Sequence, residues 1–310
     1  MSRVIVITGP TAVGKTKLSI ELAKKLNGEI INADAMQVYK GLNIGTAKVT
    51  EKEKENIPHH LFDIKEVEEE YSIYNYQKDC RKVIDNILRR NKTPILVGGT
   101  GLYIKAALYD YKLSEEKTNN TYDNLKTEEI YKELLKLDKD INIDKNNRRR
   151  LIRALNYYKE NNTSISNNKT NKLLYDTIFI GLTTDREILY KKINQRVDNM
   201  IENGLLEEVK YYYDKNIKTK PLINGIGYKE LYNYFDGLCT KKEAVEKIKQ
   251  NSRHYAKRQY TFLNHQLNVV WFETDYNNFN NTIEKVSSYI KNNGSLSNNG
   301  WKPKMIKKFE

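Results

Sequence analysis

Residues 9–16, near the N terminus, constrain the fold more than any other part of the chain. Their sequence is GPTAVGKT, which fits the pattern G-x-x-x-x-G-K-T. The apolar run RVIVIT (3–8) precedes them, and a helical pattern over 15–26 follows. A glycine-rich turn between a buried strand and a helix is a P-loop, in which backbone N–H groups and the helix N terminus surround phosphate oxygens. The segment therefore predicts a phosphate-binding site in an α/β protein.

Five apolar runs predict strands of a parallel sheet that is buried on both faces, because they are apolar throughout and do not alternate. Helical patterns separate them. One is closed by Asn27-Gly28, and another, over 184–203, begins with a capping box from Thr184 to Glu187. The predicted fold is α/β, a P-loop parallel sheet flanked by helices, with a helical insertion and a helical C-terminal part. The predicted strands are 3–8, 29–33, 93–98, 177–182 and 268–273.

A long polar segment between the third and fourth strands predicts the helical insertion. We place the P-loop core at 1–110 and 176–290 and the insertion at 111–175. The insertion has too few apolar residues to predict an independent core. Residues 291–310 are rich in Asn, Gly and Ser and then basic, which predicts a flexible tail. The main apolar residues of the insertion are Leu134, Leu135, Ile152 and Leu155.

The charge pattern predicts a polyanionic partner. The chain has 53 Lys and Arg against 40 Asp and Glu, a formal net charge of +13. A lysine-rich composition alone would give this excess, but the bases cluster in 145–160 and 241–260, as an electrostatic footprint does. No apolar run approaches the length of a membrane span, so we expect a cytoplasmic protein without a membrane partner. Cys80 and Cys239 support neither a disulfide framework nor a zinc site.

One carboxylate is placed to act beside the P-loop. We expect Lys15 to supply a point charge to the phosphates and the Thr16 hydroxyl to coordinate Mg²⁺. Hydrolases of this class commonly carry an acid directly after an apolar strand. In TPILVGGTGLY, however, the apolar run is followed by Gly-Gly-Thr and not by an acid. The acid follows the second strand instead, as Asp34, and so faces the crevice at the carboxyl ends of the strands. Asp34 is therefore a candidate general base, and capping of the next turn is the alternative.

Two further groups have open interpretations. One of Arg186 and Arg196, which share a helical pattern, could clamp phosphate, although a solvated helix face explains either alone. His59 and His60 lack a cysteine or carboxylate at ligand spacing, so structural packing or polar lining is favoured over metal binding.

Eight motifs in a consistent order resemble those of a known family. They are GPTAVGKT, NADAMQVYKGLNIGTAK, PHHLFDI, LVGGTGLYIKA, RRLIRAL, DREILYKKINQRVDNMIENGLLEEV, GIGYKE and YAKRQYTF. The chain is similar to the tRNA dimethylallyltransferases, also called tRNA isopentenyltransferases, and to their bacterial form, since no C-terminal zinc finger follows. The resemblance implies transfer of a dimethylallyl group from dimethylallyl diphosphate to N6 of the adenosine 3′ of the anticodon, with release of pyrophosphate.

The resemblance also implies roles for individual residues. Asp34 takes the proton of the attacking amine, while Thr11, Lys15, Thr16 with Mg²⁺ and an arginine stabilise the departing pyrophosphate. The implied diphosphate-binding residues are Gly9, Pro10, Thr11, Ala12, Val13, Gly14, Lys15, Thr16, Arg186 and Arg196. The implied contacts with the anticodon stem-loop of tRNA are Asp34, Ala35, Met36, Gln37, Thr100, Arg149, Arg150, Arg153, Gly225, Gly227, Tyr228, Lys229, Lys257, Arg258, Gln259 and Thr261.

The chain departs from the family's pattern at a few positions. Ala35 stands where relatives usually have serine, Phe262 where they have tryptophan, and Asn264 where arginine is usual; the insertion is also short. Three alternatives stay open: transfer of the same group to free AMP, ADP or ATP; a P-loop small-molecule kinase; and a basic RNA-binding protein with a decayed P-loop. We expect a monomer.

Overall fold

The computed structural model of this protein describes residues 3–111, 113, 122 and 124–292, with the backbone alone for 167–171. Contacts divide the chain into two compact units. One comprises the chain up to Ala107 and from Tyr175 onward, and the other is Leu108–Leu174, whereas the sequence predicts an insertion over 111–175. The predicted tail begins at the last residue of a helix, Lys291, and its part from 293 on lies outside the described residues.

The first unit contains a six-stranded parallel sheet in the order β3-β2-β4-β1-β7-β8. All five predicted strands belong to it, and the predicted fold class is confirmed. The sixth, β3, is a two-residue edge strand beside β2 that is too short to leave a pattern in the sequence. Because the strands are parallel, their carboxyl ends meet at one edge. The strands are β1 Val4–Thr8, β2 Gly28–Asn32, β3 His59–His60, β4 Thr93–Val97, β7 Thr177–Thr183 and β8 Val270–Glu273.

Ten helices of the described residues belong to this unit. Helix α1 ends at Leu26 with Asn27 in the left-handed region, while Gly28 already begins β2. The predicted capping box from Thr184 to Glu187 is wrong, because α7 begins after Asp185, whose side chain makes no capping bond. The helices are α1 Lys15–Leu26, α2 Glu51–Lys54, α3 Ile73–Arg89, α4 Gly101–Leu108 (its last residue in the other unit), α7 Arg186–Glu202, α8 Leu205–Asp214, α9 Lys220–Asn224, α10 Tyr228–Phe235, α11 Lys241–Gln266 and α12 Phe279–Lys291.

In its described residues, the second unit has two α-helices, α5 Thr127–Leu137 and α6 Arg148–Asn161, and an antiparallel ribbon of β5 Tyr109–Tyr111 and β6 Lys169–Leu173. Its own apolar cluster is larger than the sequence suggests, because seven residues are buried in it. Of the four apolar residues predicted from the sequence, Leu134 and Leu155 are buried members, whereas Leu135 and Ile152 only border the cluster. Arg148, one base of the 145–160 cluster, is structural: it donates to the carbonyls of Tyr122 and Leu125 at 2.6 and 2.5 Å. The buried members are Tyr122, Ile130, Leu134, Ile141, Leu151, Ala154 and Leu155.

The helical C-terminal part of the first unit packs around a second apolar cluster. It combines residues of α7, α8, α10 and α11 with the segment after β2, represented by Val38 and Leu42. This cluster fixes the 38–48 segment against the helices, so that side chains from both can meet beside the sheet. Among the described residues, none of the helices combines the length and the apolar character that crossing a bilayer requires.

Candidate active site

A cavity of about 800 Å³ opens at the carboxyl edge of the sheet in the first unit. The loops that follow β1, β2 and β4 all contribute to its wall, as expected for a parallel sheet. The P-loop, Asp34 and Arg196 therefore line one space. Residues predicted separately from the sequence are brought together there, and the cavity is large enough for a small-molecule ligand.

The P-loop backbone depends on residues far along the chain. Gly9 and Gly14 have positive φ angles of 134° and 90°, and a Cβ on Gly9 would lie 2.4 Å from the Leu182 carbonyl oxygen. The Thr274 hydroxyl donates to the carbonyl of Val13 at 2.9 Å, and the Tyr276 hydroxyl donates to that of Ala12 at 3.0 Å. These two residues follow β8 and were missed in the sequence, since nothing local links them to the P-loop.

Lys15 points back into the P-loop. Its ammonium donates to the carbonyls of Gly9 and Pro10 at 3.1 and 2.5 Å. Burial and the nearby Arg196 guanidinium lower the pKa of Lys15 to about 7, and the charge of Asp34 opposes this shift. An anion in the loop would favour the charged form, so Lys15 is suited to respond to a phosphate ligand.

Asp34 is oriented by the residues around it. The Asn32 amide nitrogen donates to the Asp34 carbonyl at 3.0 Å, and its oxygen accepts from the Asp34 N–H at 2.8 Å. Asp34 Oδ1 accepts from the Met36 N–H at 2.9 Å, so the turn-capping interpretation is correct for that oxygen. Within the described part of the chain, Oδ2 has no hydrogen-bond donor, which leaves one oxygen for a ligand.

Three side chains connect Asp34 to the neighbouring loops. The Thr100 hydroxyl accepts from the Ala35 N–H at 3.1 Å. The Tyr255 hydroxyl interacts with Thr100 and Gln259, and burial together with the charge of Asp34 raises the pKa of Tyr255 to about 12. Gln259 accepts from the Thr11 N–H at 3.2 Å and donates to the Gly99 carbonyl at 3.1 Å, joining the P-loop to the loop after β4.

The structure separates the two candidate arginines. Arg196 lines the cavity and donates to the Thr46 carbonyl at 3.3 Å. Burial lowers the pKa of Arg196, and the charge of Asp34 opposes that shift. Arg186 is exposed at the start of α7, stacks on the Tyr190 ring at 5.4 Å and does not line the cavity. Of these two arginines, Arg196 is the one that lines the cavity together with the P-loop.

Among the described residues, no cluster of three or more His, Cys, Asp or Glu side chains could hold an ion. His60 bonds Glu29 at 2.8 Å and His59 bonds the Ile57 carbonyl at 2.7 Å, as the packing interpretation predicts. Thr16 is exposed to the cavity at the start of α1.

Comparison with known proteins assigns this arrangement to a family. A family model described as IPP transferase matches residues 37–266, which is most of the chain. The chain belongs to the IPP transferase family. The tRNA dimethylallyltransferase of Anoxybacillus flavithermus is 50% identical over 299 residues, covering 93% of this chain and 96% of that protein. That of Bacillus subtilis is 47% identical over 283 residues, covering 87% and 90% respectively.

Solved structures of the IPP transferase family match the fold as well. A tRNA isopentenylpyrophosphate transferase from Staphylococcus epidermidis is 39% identical with a TM-score of 0.72, covering 94% of this chain and 100% of that one. A eukaryotic dimethylallyltransferase, described as acting on tRNA, is 32% identical with a TM-score of 0.84, covering 96% and 82%.

The residues that the resemblance assigns to tRNA occupy different environments. Tyr228 is fully buried and its hydroxyl donates to Glu208 at 2.6 Å, so its side chain belongs to the core. Thr261 is exposed on α11 but bonds the Lys257 carbonyl at 3.1 Å. Arg149 and Arg150 are exposed on α6 in the other unit, and Arg153 is half-buried there. Those lining the cavity are Asp34, Met36, Gln37, Gly225, Gly227, Tyr228, Arg258 and Gln259.

Proposed function

We propose that this member of the IPP transferase family transfers a dimethylallyl group from dimethylallyl diphosphate to N6 of the adenosine 3′ of the anticodon in tRNA. The products are N6-isopentenyladenosine and pyrophosphate. One observation carries the proposal: the Asp34 carboxylate faces the same cavity as the P-loop and Arg196. A base and an anion site in one cavity suit a reaction in which an amine displaces a diphosphate.

The diphosphate lies in the P-loop, where backbone N–H groups, Lys15 and the helix N terminus of α1 supply positive charge. Arg196 adds a guanidinium to the lining of the same cavity. The residues fit Mg²⁺, because this ion keeps most of its waters and needs few protein ligands besides substrate phosphates. Thr16 would hold it, and its contribution would be to neutralise charge on the diphosphate. Thr11 lines the cavity beside these groups.

The reaction requires a proton acceptor and stabilisation of a leaving anion. The N6 nitrogen attacks the first carbon of the allyl group as the carbon–oxygen bond to the diphosphate breaks. Asp34 Oδ2 accepts the N6 proton, while the Met36 N–H holds Oδ1 in place. Lys15 and Arg196 stabilise the negative charge that develops on pyrophosphate. Pre-oriented charges are effective here, since the Lys15 and Arg196 side chains are partly buried, where water screens charge less than it does in bulk.

The target base must leave the stack of the anticodon loop to reach Asp34, and unpaired loops make this inexpensive. Basic side chains on α11, Lys257 and Arg258, are exposed near the cavity, and Arg258 also lines it. Arg149 and Arg150 add exposed charge on α6. We assign these residues to the tRNA backbone. The monomeric state and the cytoplasmic location stay predictions from the sequence.

The acceptor distinguishes this proposal from transfer to a mononucleotide. The exposed charge of Arg149 and Arg150 on α6 favours tRNA, because a basic cluster suits a polyanion better than a mononucleotide. The test is to incubate the protein with Mg²⁺, labelled dimethylallyl diphosphate and, in parallel, unmodified tRNA, AMP and ATP. We expect label in tRNA alone. Label in AMP or ATP, or in no acceptor, contradicts the proposal.

Replacing Arg149, Arg150 and Arg153 with glutamine is expected to weaken tRNA binding and to lower the slope of log Kd against log salt by about 2 to 3. Each lost phosphate contact releases about one counterion fewer. The KM for dimethylallyl diphosphate should not change. Filter binding over a salt series measures the slope.

The matched control removes the charges of three exposed lysines in the same unit, Lys132, Lys136 and Lys139. We expect the slope to change little. If both triple variants lower the slope equally, the arginines act only through the unit's overall charge, and the assignment of specific phosphate contacts is wrong.

A further inference from the structure

Glu208, in the first turn of α8, holds three consecutive backbone N–H groups of the segment after β2. Its Oε2 accepts from Asn43 at 3.0 Å and from Ile44 at 2.7 Å. Its Oε1 accepts from Gly45 at 3.1 Å and from the Tyr228 hydroxyl at 2.6 Å. An ionised carboxylate has about four acceptor positions, so these four donors use its full capacity. An amide in this place would direct an NH₂ group at N–H groups.

The backbone that Glu208 holds also packs closely against the Tyr228 ring. A Cβ on Gly45 would lie 2.7 Å from atoms of the Tyr228 ring, so the backbone and the ring are in close contact. Tyr228 is fully buried. Burial and the charge of Glu208 raise the pKa of the Tyr228 hydroxyl, which therefore keeps its proton and donates. These contacts tie the 43–45 backbone to both α8 and α10.

The next peptide unit leads to the cavity. The Thr46 carbonyl accepts from Arg196 Nη2 at 3.3 Å and from Gln37 Nε2 at 3.0 Å. Gly45, Thr46 and Arg196 all line the cavity. Backbone that Glu208 fixes is thus continuous with the carbonyl that orients the guanidinium facing the P-loop.

We propose that Glu208 is a positioning residue for the diphosphate site: by fixing the backbone of 43–45 it holds the Thr46 carbonyl and, through it, Arg196 at the cavity wall. This inference rests on the proposed function, in which Arg196 contacts the diphosphate. Glu208 itself contacts only the protein. Its effect on the ligand should therefore depend on the presence of Arg196.

The test is calorimetric titration of the full chain with inorganic pyrophosphate and Mg²⁺. The variants are Glu208→Gln, Arg196→Ala and the double variant. We expect Glu208→Gln to weaken binding about tenfold, the scale of one misplaced charge-assisted hydrogen bond. In the Arg196→Ala background the same change should alter binding by less than about twofold, because the two residues act as one unit.

The control is Glu207→Gln, which removes the same charge from the adjacent, exposed position of α8 and should leave pyrophosphate binding unchanged. Kinetics supply a second measurement: Glu208→Gln should raise the KM for dimethylallyl diphosphate about tenfold and leave the KM for tRNA within about twofold. Equal effects of Glu208→Gln with and without Arg196, or undiminished pyrophosphate binding, overturn the proposal.

If circular dichroism shows that Glu208→Gln does not fold, Tyr228→Phe takes its place, since it removes one donor and keeps the ring. We then expect a two- to threefold loss of affinity, roughly, that disappears in the Arg196→Ala background. Independence from Arg196 contradicts the proposal. A wild-type protein that binds pyrophosphate but does not label tRNA contradicts the proposed function alone, because the titration requires no acceptor.

Discussion

Asp34→Asn is expected to lower kcat for dimethylallyl transfer at least about 10³-fold, because a general base commonly contributes a factor of this size. The choice of asparagine separates two roles. Oδ1 of Asp34 caps the turn by accepting from the Met36 N–H at 2.9 Å, and an asparagine oxygen can continue to do so. What asparagine cannot do is take a proton at the position of Oδ2. Single-turnover transfer of labelled dimethylallyl diphosphate to tRNA measures the loss.

Asp34→Ala provides the comparison. It removes the turn cap as well as the base, yet it should be as inactive as the asparagine variant if proton transfer is the main contribution. Affinity for tRNA should stay within a few-fold in both, since basic residues elsewhere carry binding. Substantial activity in Asp34→Asn together with inactivity in Asp34→Ala shows that turn capping, and not proton transfer, is the function of this carboxylate.

Lys15→Met is expected to lower kcat/KM for dimethylallyl diphosphate by about 10² to 10³, the effect of removing one strong donor to a developing anion. The apolar stem of methionine keeps most of the packing in the loop. Binding of tRNA should not change. The matched control is Lys25→Met at the exposed end of the same helix, which should have full activity. Equal activity of Lys15→Met and Lys25→Met excludes Lys15 from diphosphate binding.

The pKa of Lys15 adds a pH dependence with a definite sign. It is lowered from 10.5 to about 7 in the folded protein. Between these values the unfolded chain retains a proton that the folded chain releases, so the contribution of Lys15 to stability rises with pH across this window. Denaturant melts of wild type and Lys15→Met over the window should show a shallower rise in the variant. An identical rise in both means that the folded pKa of Lys15 is not lowered.

The same shift predicts proton uptake when pyrophosphate binds. At pH 8 the free site is mostly neutral at Lys15, and the bound anion favours the ammonium, so binding should take up protons. At pH 6 the lysine is already charged and this uptake should vanish. Titrations in buffers of different ionisation enthalpy count the protons, and Lys15→Met corrects for those of the ligand.

The sequence determined the parts of this protein that local order along the chain encodes. The strand, glycine turn and helix around Lys15 follow from hydrophobic pattern and conformational preference over some twenty neighbouring residues. The five main strands are visible as apolar runs, and the place of Asp34 after the second of them follows from the rule that parallel strands end at one edge. Eight ordered motifs were enough to indicate the family.

Tertiary structure alone decided which side chains complete the site. Gln259 joins loops through a bond to Thr11, 248 positions away, and Tyr276 supports the P-loop at Ala12, 264 positions away. Arg196 lines the cavity and Arg186 does not, because the part of α7 that faces the cavity carries Arg196. Glu208 can position the site only through the 43–45 backbone, which it contacts after folding. Hydrogen bonds over such separations leave no periodic pattern, because the partners are brought together by packing of the core and not by their order in the chain.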